Sequence, residues 1–253
     1  LLSVFLVISI MTSCIIAPIN GAATHVTESH VVVAYNINGI QGSSDGYGAN
    51  NWNEVYNTIS SYGADLICFN EVNNKFVKDN LVSLLKSGGY SCFGTTDWAE
   101  GSGEDIILGA AWANLVCYKT SKYIKLESGT FSLSDNPSNP NAFISTMEDY
   151  PKTNIEGRPR NCNWVYLQSK STGDRFILAS AHAQWAEYNG RDYNAEGLTY
   201  LVNNINALKN TYGCDVILGG DMNADYPVEL TSQGYIDVVP VGTQTYSGED
   251  EQK

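Results

Sequence analysis

The most constraining feature of the sequence is a strand–helix–strand pattern that occurs twice, with a polar residue near the end of each strand. In the first copy, the apolar segment Val31–Ile37 carries Asn36, and the next apolar segment ends at Glu71. In the second copy, Arg175–His182 ends in its histidine, and the following segment leads to Asp221. A βαβ-type unit has about this length, roughly 30 to 40 residues. Because these strands are apolar enough to be buried on both faces, we expect their polar ends to meet in one cleft at the rim of the sheets.

The remaining patterns predict one α/β domain over residues 24–253, since no linker-like or low-complexity stretch divides them. Apolar residues at helical spacing predict helices at Asn51–Tyr62, Asn74–Ser87 and Arg191–Asn210. The first two are followed directly by glycine, which is typical of a helix C-terminus. A polar segment with four prolines, Ser134–Pro159, predicts a long surface loop. The predicted strands are Val31–Ile37, Ala64–Glu71, Ala110–Tyr118, Tyr123–Leu133, Cys162–Gln168, Arg175–His182 and Asp215–Gly220.

The first 23 residues predict a secretory signal peptide. Residues 1–17 are almost entirely apolar, and small residues at Gly21 and Ala23 are typical of a cleavage site. The prediction is therefore a secreted, extracellular protein. The alternative is a retained membrane anchor, because the apolar run is nearly long enough to span a bilayer.

The charge balance limits the classes of partner. The sequence has 27 acidic residues against 14 basic ones, a formal net charge of −13. This argues against a broad cationic surface that binds DNA or anionic lipid through counterion release. A polyanionic substrate stays open, because bound cations can reverse the sign of the potential inside one cleft.

The cysteines do not predict a disulfide framework. Five of the six remain after cleavage near Ala23, an odd number, so at least one is unpaired or pairs outside the sequence. The segments around Cys68, Cys117, Cys162 and Cys214 are apolar, which predicts small buried side chains. Cys92 is the best candidate for an exposed thiol.

The strand ends carry the residue types of a metal-assisted site. Carboxylate and amide oxygens on rigid strand ends are ligands for a hard cation such as Mg²⁺. His182 can donate to a phosphoryl oxygen, and Arg160 can bind the same anion. Taken singly, each has a structural explanation: a turn, a strand exit, a satisfied histidine or a surface ion pair. The functional interpretation depends on their occurring together at the ends of predicted strands.

Seven segments follow one another along the chain in a characteristic order: Tyr35–Gly39, Ala64–Val72, Asn114–Tyr118, Gly129–Ser134, Arg160–Val165, Ser180–His182 and Gly219–Asp225. In this order they resemble the endonuclease/exonuclease/phosphatase superfamily, the deoxyribonuclease I-like phosphoesterases. The resemblance implies an α/β fold with a two-layered β-sandwich flanked by helices. It also implies hydrolysis of phosphate esters assisted by a divalent metal. It spans nearly the whole mature chain and is specific only as a set.

The resemblance also assigns roles to individual residues. It implies that Asn36 and Glu71 hold the metal ion, Mg²⁺, with Mn²⁺ or Ca²⁺ as alternatives. It implies that His182 and Asn223 bind and stabilise the phosphoryl group, and that Asp221 orients or deprotonates the attacking water. The metal would neutralise developing charge while fixed donors stabilise the phosphoryl oxygens.

Arg160 and Asn114 are the candidate substrate-binding residues. Four residues nearby depart from the family pattern. Asn70 stands where the family usually has glutamine, and Ser180–Ala181 where it usually has Asn-Thr. Trp112 occupies a position where many members have an acid that positions the histidine, so we expect His182 to be held differently.

The C-terminus is the largest departure. The family normally ends in a further strand and a Ser-Asp-His segment that completes the site, whereas this sequence stops at Glu249–Lys253. Our interpretation is a sequence truncated at both ends, with C-terminal strands missing, poor activity and marginal stability.

The sequence therefore predicts a secreted, magnesium-dependent hydrolase of phosphate esters. The substrate, whether nucleic acid, phospholipid or small molecule, is undetermined. Because basic residues are scarce and scattered, a small or lipid-borne phosphodiester is at least as good a candidate as DNA. We expect a monomer without a protein partner. The alternative is a non-catalytic secreted binding or toxin-like module on the same scaffold.

Overall fold

The fold is taken from a computed structural model, which describes residues 5–9, 29–37, 51–72, 75–96, 113–140, 142–145, 159–184, 187–188, 191–224 and 227–238. The strands are β1 (Phe5–Ser9), β2 (His30–Asn36), β3 (Leu66–Val72), β4 (Tyr90–Thr96), β5 (Ala113–Lys119), β6 (Tyr123–Ser132), β7 (Asn161–Ser169), β8 (Arg175–His182), β9 (Glu187–Tyr188), β10 (Arg191–Asp192) and β11 (Asp215–Asp221). The helices are α1 (Asn51–Ser61), α2 (Lys75–Ser87), α3 (Tyr193–Tyr212) and α4 (Val228–Thr231).

Two mixed sheets form the centre of the molecule. The first has the strand order β1-β2-β3-β5-β4, and the second the order β11-β8-β7-β6. Each sheet contains one parallel pair, β2 with β3 and β11 with β8. These are the two pairs that the repeated strand–helix–strand pattern predicts, so the carboxyl ends of the paired strands share an edge.

The first sheet is buried on both faces because its side chains alternate between two apolar layers. On β2, Val33 and Tyr35 face α1 and α2, where they pack against Val55 and Leu81. The intervening Val32 and its neighbours face the second sheet. This explains why the strand sequences are continuous apolar runs rather than alternating ones.

The second sheet is covered on its outer face by α3. Leu198, Leu201 and Ile205 of this helix pack against the sheet. The helix begins after Asp192, whose carboxylate accepts from the Ala195 N–H at 3.0 Å, and it ends at Gly213, which is left-handed. The predicted α/β architecture of two packed sheets with helices on their outer faces is confirmed.

Most predicted elements agree with the structure to within a few residues, and Arg175–His182 agrees at both ends. The sequence did not predict β4, a strand that mixes polar and small residues at the edge of the first sheet. In the predicted loop 134–159, the described residues form neither α-helix nor strand, but Ile144 is buried against Tyr193 rather than exposed.

The predicted signal peptide overlaps β1, which pairs antiparallel with β2 at the edge of the first sheet. Residues 10–28 lie outside the described residues, so cleavage near Ala23 stays a prediction, as does the domain over 24–253. In the part of the chain that the structure describes, no helix has the length and apolar character needed to cross a bilayer.

The cysteine predictions are correct at three positions and wrong at two, Cys92 and Cys214. Cys68, Cys117 and Cys162 are buried as predicted, and no disulfide joins the described cysteines. Cys92 is buried and not exposed, because it lies on the unpredicted strand β4 and faces the apolar layer under α2. Cys214, which was predicted to be buried, is only partly buried because it precedes β11 at the start of the strand, and it is the most accessible of the described thiols.

Candidate functional site

The polar strand ends meet at one rim of the two sheets. On the second sheet, His182 and Asp221 are register partners on the parallel strands β8 and β11. The Ala183 N–H donates to the Asp221 carbonyl at 2.9 Å and extends this pairing by one residue. On the first sheet, Asn36 and Asn70 are register partners on β2 and β3, next to Glu71.

Side chains from both sheets contact one another across this rim. Asn36 Nδ2 donates to Asp221 Oδ2 at 2.8 Å, although the two residues are 185 positions apart in the sequence. His182 Nε2 lies 3.8 Å from Glu71 Oε1 and 4.0 Å from Asp221 Oδ2. One ligand atom from each of Glu71, His182 and Asp221 lies within 4.8 Å of the other two. The structure thus gathers these four predicted residues at one point.

Two glycines let β11 approach its neighbours closely beneath the site, Gly219 towards the first sheet and Gly220 towards β8 in its own sheet. A Cβ atom on Gly219 would lie 2.9 Å from Cys68 Sγ, on the facing strand β3. Gly220 has φ +131°, and a Cβ atom there would overlap the Ala181 carbonyl oxygen on β8. A larger side chain at Gly219 would therefore separate the strands that carry Glu71 and Asp221, and one at Gly220 would separate β11 from β8, which carries His182.

Polar contacts between β3 and β8 join the two sheets directly behind the site. Asn70 Nδ2 donates to the Ala181 carbonyl at 3.0 Å, and Ser180 Oγ donates to the Phe69 carbonyl at 3.1 Å. Asn70 and Ser180 are two of the positions that depart from the family pattern. Here the shorter side chains bond directly to the facing backbone, which fixes the spacing between the sheets at the level of Glu71.

The backbone is strained at two of the predicted site residues. Among the described residues, the only non-glycine positions with positive φ are Glu71, at +59°, and Asn223, at +49°. Glu71 lies at a register shift between β3 and β5, where a bulge turns its carboxylate towards the rim. Strain of this kind costs about 1–3 kcal/mol per residue and is concentrated at functional sites.

Asp221 is oriented through both of its carboxylate oxygens. Oδ1 accepts from the Asn223 N–H at 2.9 Å, and Oδ2 accepts from Asn36. Asn223 in turn donates from Nδ2 to the Ala183 carbonyl at 2.8 Å. The turn after β11 therefore holds the carboxylate and the Asn223 amide side by side.

Arg160 lies beside the site and not at its open surface. Its side chain is buried, and Nη1 lies 2.8 Å from His182 Nδ1. Its Nε donates to Gln184 Oε1 at 3.5 Å, and Gln184 is also buried. We expected Arg160 and His182 to bind the same substrate anion. In the structure, Arg160 contacts His182 itself.

Asn114 is fully buried in an amide network behind the site. Its Oδ1 accepts from Asn70 Nδ2 at 3.0 Å, and its Nδ2 donates to Asn161 Oδ1 at 3.2 Å. Asn163 Nδ2 donates to the Asn114 carbonyl at 2.8 Å. Sequence reasoning placed Asn114 in contact with substrate, and the structure places it one hydrogen bond behind Asn70. Sequence reasoning did not identify Asn161 and Asn163 as part of this network, since asparagines inside a strand give no distinguishing signal.

The donor set fits a hard divalent cation. Two carboxylates, Glu71 and Asp221, lie close together at an only partly exposed rim, and like charges so placed need a neighbouring positive charge. The amide nitrogen of Asn36 contacts Asp221, and the oxygen of the same amide is an uncharged ligand for a metal ion. Carboxylate and amide oxygens are the ligands that Mg²⁺, Mn²⁺ and Ca²⁺ accept. Trp112 lies outside the described residues.

Comparison with solved structures finds the same fold in phosphoesterases of known family. A mannosyl-6-phosphatase from Bacteroides thetaiotaomicron matches with a TM-score of 0.64 and 20% identity, over 80% of this chain and 70% of that one. An endonuclease/exonuclease/phosphatase family protein from the same organism matches with a TM-score of 0.62 and 20% identity, over 80% and 68%. A third, from Bacteroides vulgatus, matches with a TM-score of 0.58 and 19% identity, over 81% and 71%.

No protein-family model matches the sequence, and no curated protein matches it either. The structural likeness nevertheless confirms the predicted fold. The chain has the deoxyribonuclease I-like sandwich of the endonuclease/exonuclease/phosphatase proteins, as the resemblance in its motifs predicts.

Proposed function

We propose that the protein is a secreted, monomeric phosphoesterase that depends on a divalent metal, most simply Mg²⁺. The observation that carries the proposal is the convergence of Asn36, Glu71, His182 and Asp221 at one rim, from four different strands. Such a constellation opposes folding when no metal is bound, because it places two carboxylates close together at an only partly exposed edge. The presence of a mannosyl-6-phosphatase among the structural neighbours supports the same reaction class.

Asp221 is the residue best placed to orient or deprotonate the attacking water. Its two hydrogen bonds, from Asn36 and from the Asn223 backbone, hold the carboxylate in one orientation. A carboxylate fixed in this way needs no reorganisation when the water attacks. Asn36 and Glu71 would hold the metal.

His182 and Asn223 are the donors for the phosphoryl oxygens. Both are fixed by second contacts, His182 through Arg160 and Asn223 through the Ala183 carbonyl. Donors held rigidly where negative charge develops stabilise a transition state more than mobile donors do. A bound divalent metal would supply charge neutralisation and polarise a phosphoryl oxygen.

The net charge of −13 favours a small phosphate ester or a lipid-borne one over a nucleic acid. A protein that binds DNA gains affinity from Lys and Arg contacts to phosphates, and the described rim contributes only Arg160, which is buried. Secretion, which rests on the apolar N-terminal segment, would be checked by sequencing the N-terminus of protein recovered from culture medium.

The direct test measures hydrolysis of p-nitrophenyl phosphate and of bis-p-nitrophenyl phosphate, with Mg²⁺ and with a chelator. We expect activity on at least one ester, its loss on chelation, and its recovery when Mg²⁺ is restored. Glu71→Gln and Asp221→Asn should each lower kcat about 10²-fold or more, since each removes a group needed in the transition state. Asp174→Asn is the matched control, because Asp174 precedes β8 at the end far from the site.

Activity that survives chelation, or that survives both substitutions, would contradict the proposed mechanism. A folded protein without activity on either ester, and without any metal-dependent change in stability, would favour the non-catalytic binding module instead.

A further inference from the structure

The contact between Arg160 and His182 determines which nitrogen of the imidazole carries the hydrogen. Arg160 directly precedes β7, and His182 ends the neighbouring strand β8, so the two side chains meet at the same end of an antiparallel pair. Arg160 Nη1 lies 2.8 Å from His182 Nδ1, and both residues are buried, with 7% and 2% of their surface exposed. At this distance one nitrogen must donate and the other must accept.

Arginine can only donate. Its guanidinium carries five N–H groups and no acceptor, and it stays charged at every pH at which a protein is folded. His182 Nδ1 must therefore be the acceptor in this contact. In a neutral imidazole the other nitrogen then carries the hydrogen, so Nε2–H points towards Glu71 and Asp221.

The guanidinium is itself held in place. Its Nε is within 3.5 Å of Gln184 Oε1, and the Arg160 carbonyl accepts from the Leu133 N–H at 2.8 Å. Side chain and backbone of Arg160 are thus both fixed. Rotation of the imidazole would break the Nη1 contact, so the ring is held in one orientation.

We propose that Arg160 is a positioning residue, which fixes His182 as the Nε2–H tautomer and so makes it a hydrogen-bond donor to the phosphoryl group. The assignment of the acceptor as a phosphoryl group rests on the proposed function, whereas the tautomer does not. A carboxylate in this position would have the opposite effect, because it accepts from Nδ1–H and leaves Nε2 as a base, as in a Ser-His-Asp triad.

Two chemical consequences follow for the site. Nε2 in this tautomer has no lone pair, so His182 can neither accept a proton from water nor ligate a metal through that nitrogen. Proton abstraction from water then falls to Asp221, and the metal is left with oxygen ligands. That composition suits Mg²⁺ better than a metal that prefers imidazole.

The test is ¹⁵N-edited NMR of protein labelled at the histidine ring nitrogens. The sequence has three histidines, and His182 is assigned by the loss of its signals in His182→Gln. We expect the wild-type His182 to show the Nε2–H pattern. His30, whose Nδ1 contacts the Tyr123 hydroxyl at 2.6 Å on a different part of the fold, is the internal control.

Substitution of Arg160 should change this signature in a graded way. Arg160→Glu supplies an acceptor and should switch His182 to the Nδ1–H pattern, with kcat reduced about 10²-fold by loss of one donor. Arg160→Met should give a mixture of tautomers, and Arg160→Lys, which keeps a donor, should keep the wild-type pattern and most of the activity. The His30 signals should not change in any of the three.

A wild-type His182 that carries its hydrogen on Nδ1 would overturn the proposal, and so would an Arg160→Met spectrum identical to wild type. The wild-type spectrum decides the question even where a variant fails to fold. An inactive protein with the Nε2–H pattern would contradict the proposed function and leave the assigned tautomer standing. An active protein with the Nδ1–H pattern would contradict the assigned tautomer and leave the proposed function standing.

Discussion

Single residues at the rim combine strain, charge repulsion and close packing. Glu71 has a left-handed backbone and lies near the carboxylate of Asp221, and both features oppose folding. Residues that function requires often destabilise the protein that carries them. The metal-free site should therefore be a weak point in stability.

Glu71→Gln tests this directly by thermal unfolding. Without metal, the substitution should raise Tm by a few degrees, because it removes one of two neighbouring negative charges. Adding Mg²⁺ at about 100 times its dissociation constant should stabilise the wild type by about 2.7 kcal/mol. The same addition should leave Glu71→Gln nearly unchanged. Equal Mg²⁺ responses in both proteins would remove Glu71 from the metal site.

Gly220 should tolerate no side chain. Its φ of +131° is almost restricted to glycine, and a Cβ atom would overlap the Ala181 carbonyl oxygen. We expect Gly220→Ala to cost at least about 3 kcal/mol in the free energy of unfolding, measured by urea titration. Gly173→Ala is the control, since Gly173 also has positive φ, at +79°, but no atom within 4 Å of its Cβ position. A similar loss in both would mean that φ alone, and not the close approach of β11 and β8, explains the effect.

The buried cysteines should be chemically inert in the native protein. Burial raises the pKa of the Cys68 thiol to about 12 and raises those of Cys117 and Cys162 well above their usual value. Thiolate, the reactive form, is therefore scarce at neutral pH. Among the described cysteines, Cys214 should react first with Ellman's reagent, and Cys68, Cys92, Cys117 and Cys162 only after unfolding. Peptide mapping identifies the labelled residues, and rapid native labelling of Cys92 would contradict its position on β4.

At the scale of secondary structure, the central strands were predictable because both of their faces are covered. A strand between two apolar layers has a long apolar run, which few other structures produce. β2, β3 and β8 are strands of this kind. Strand β4 lies at an edge and mixes Tyr90, Cys92 and Phe93 with serine, glycine and threonine, so its pattern is weak. Edge strands pack less surface and are less constrained in composition.

The positions of the site residues were also predictable from the elements, while their contacts were not. Parallel pairing brings the ends of β2 and β3 to one edge and those of β8 and β11 to another. The similarity of the two strand–helix–strand units led us to expect both edges at one rim, and the Asn36–Asp221 contact confirms it. The contact of Arg160 with His182 depends on side-chain direction across β7 and β8. That direction is fixed by tertiary packing and has no signature in a single sequence.

The contacts that cross from β3 to β8 should set the spacing between the sheets. Ser180 is fully buried, and its hydroxyl donates to the Phe69 carbonyl on the other sheet. Ser180→Ala should cost about 1 kcal/mol in stability by removing this bond, seen as a lower urea midpoint at unchanged slope. Ser87→Ala, which removes an exposed bond to the Ser83 carbonyl within α2, should change stability by less than about 0.5 kcal/mol. If the two variants were equally stable, the contact between the sheets would contribute nothing.

The charge of the whole molecule should determine how its reaction responds to salt. A net charge of −13 repels an anionic substrate at long range, and salt screens that repulsion within a Debye length of about 10 Å at 0.1 M. At saturating Mg²⁺, we expect kcat/KM for a multiply charged phosphate ester to rise severalfold between 0.01 and about 0.2 M KCl. Bis-p-nitrophenyl phosphate, with a single negative charge, is the control and should change less. A nuclease with a cationic cleft would show the opposite trend on a DNA duplex, losing affinity steeply as salt rises. A fall in kcat/KM with rising salt on both phosphate esters would therefore contradict the preference for small or lipid-borne esters and would favour a nucleic-acid substrate.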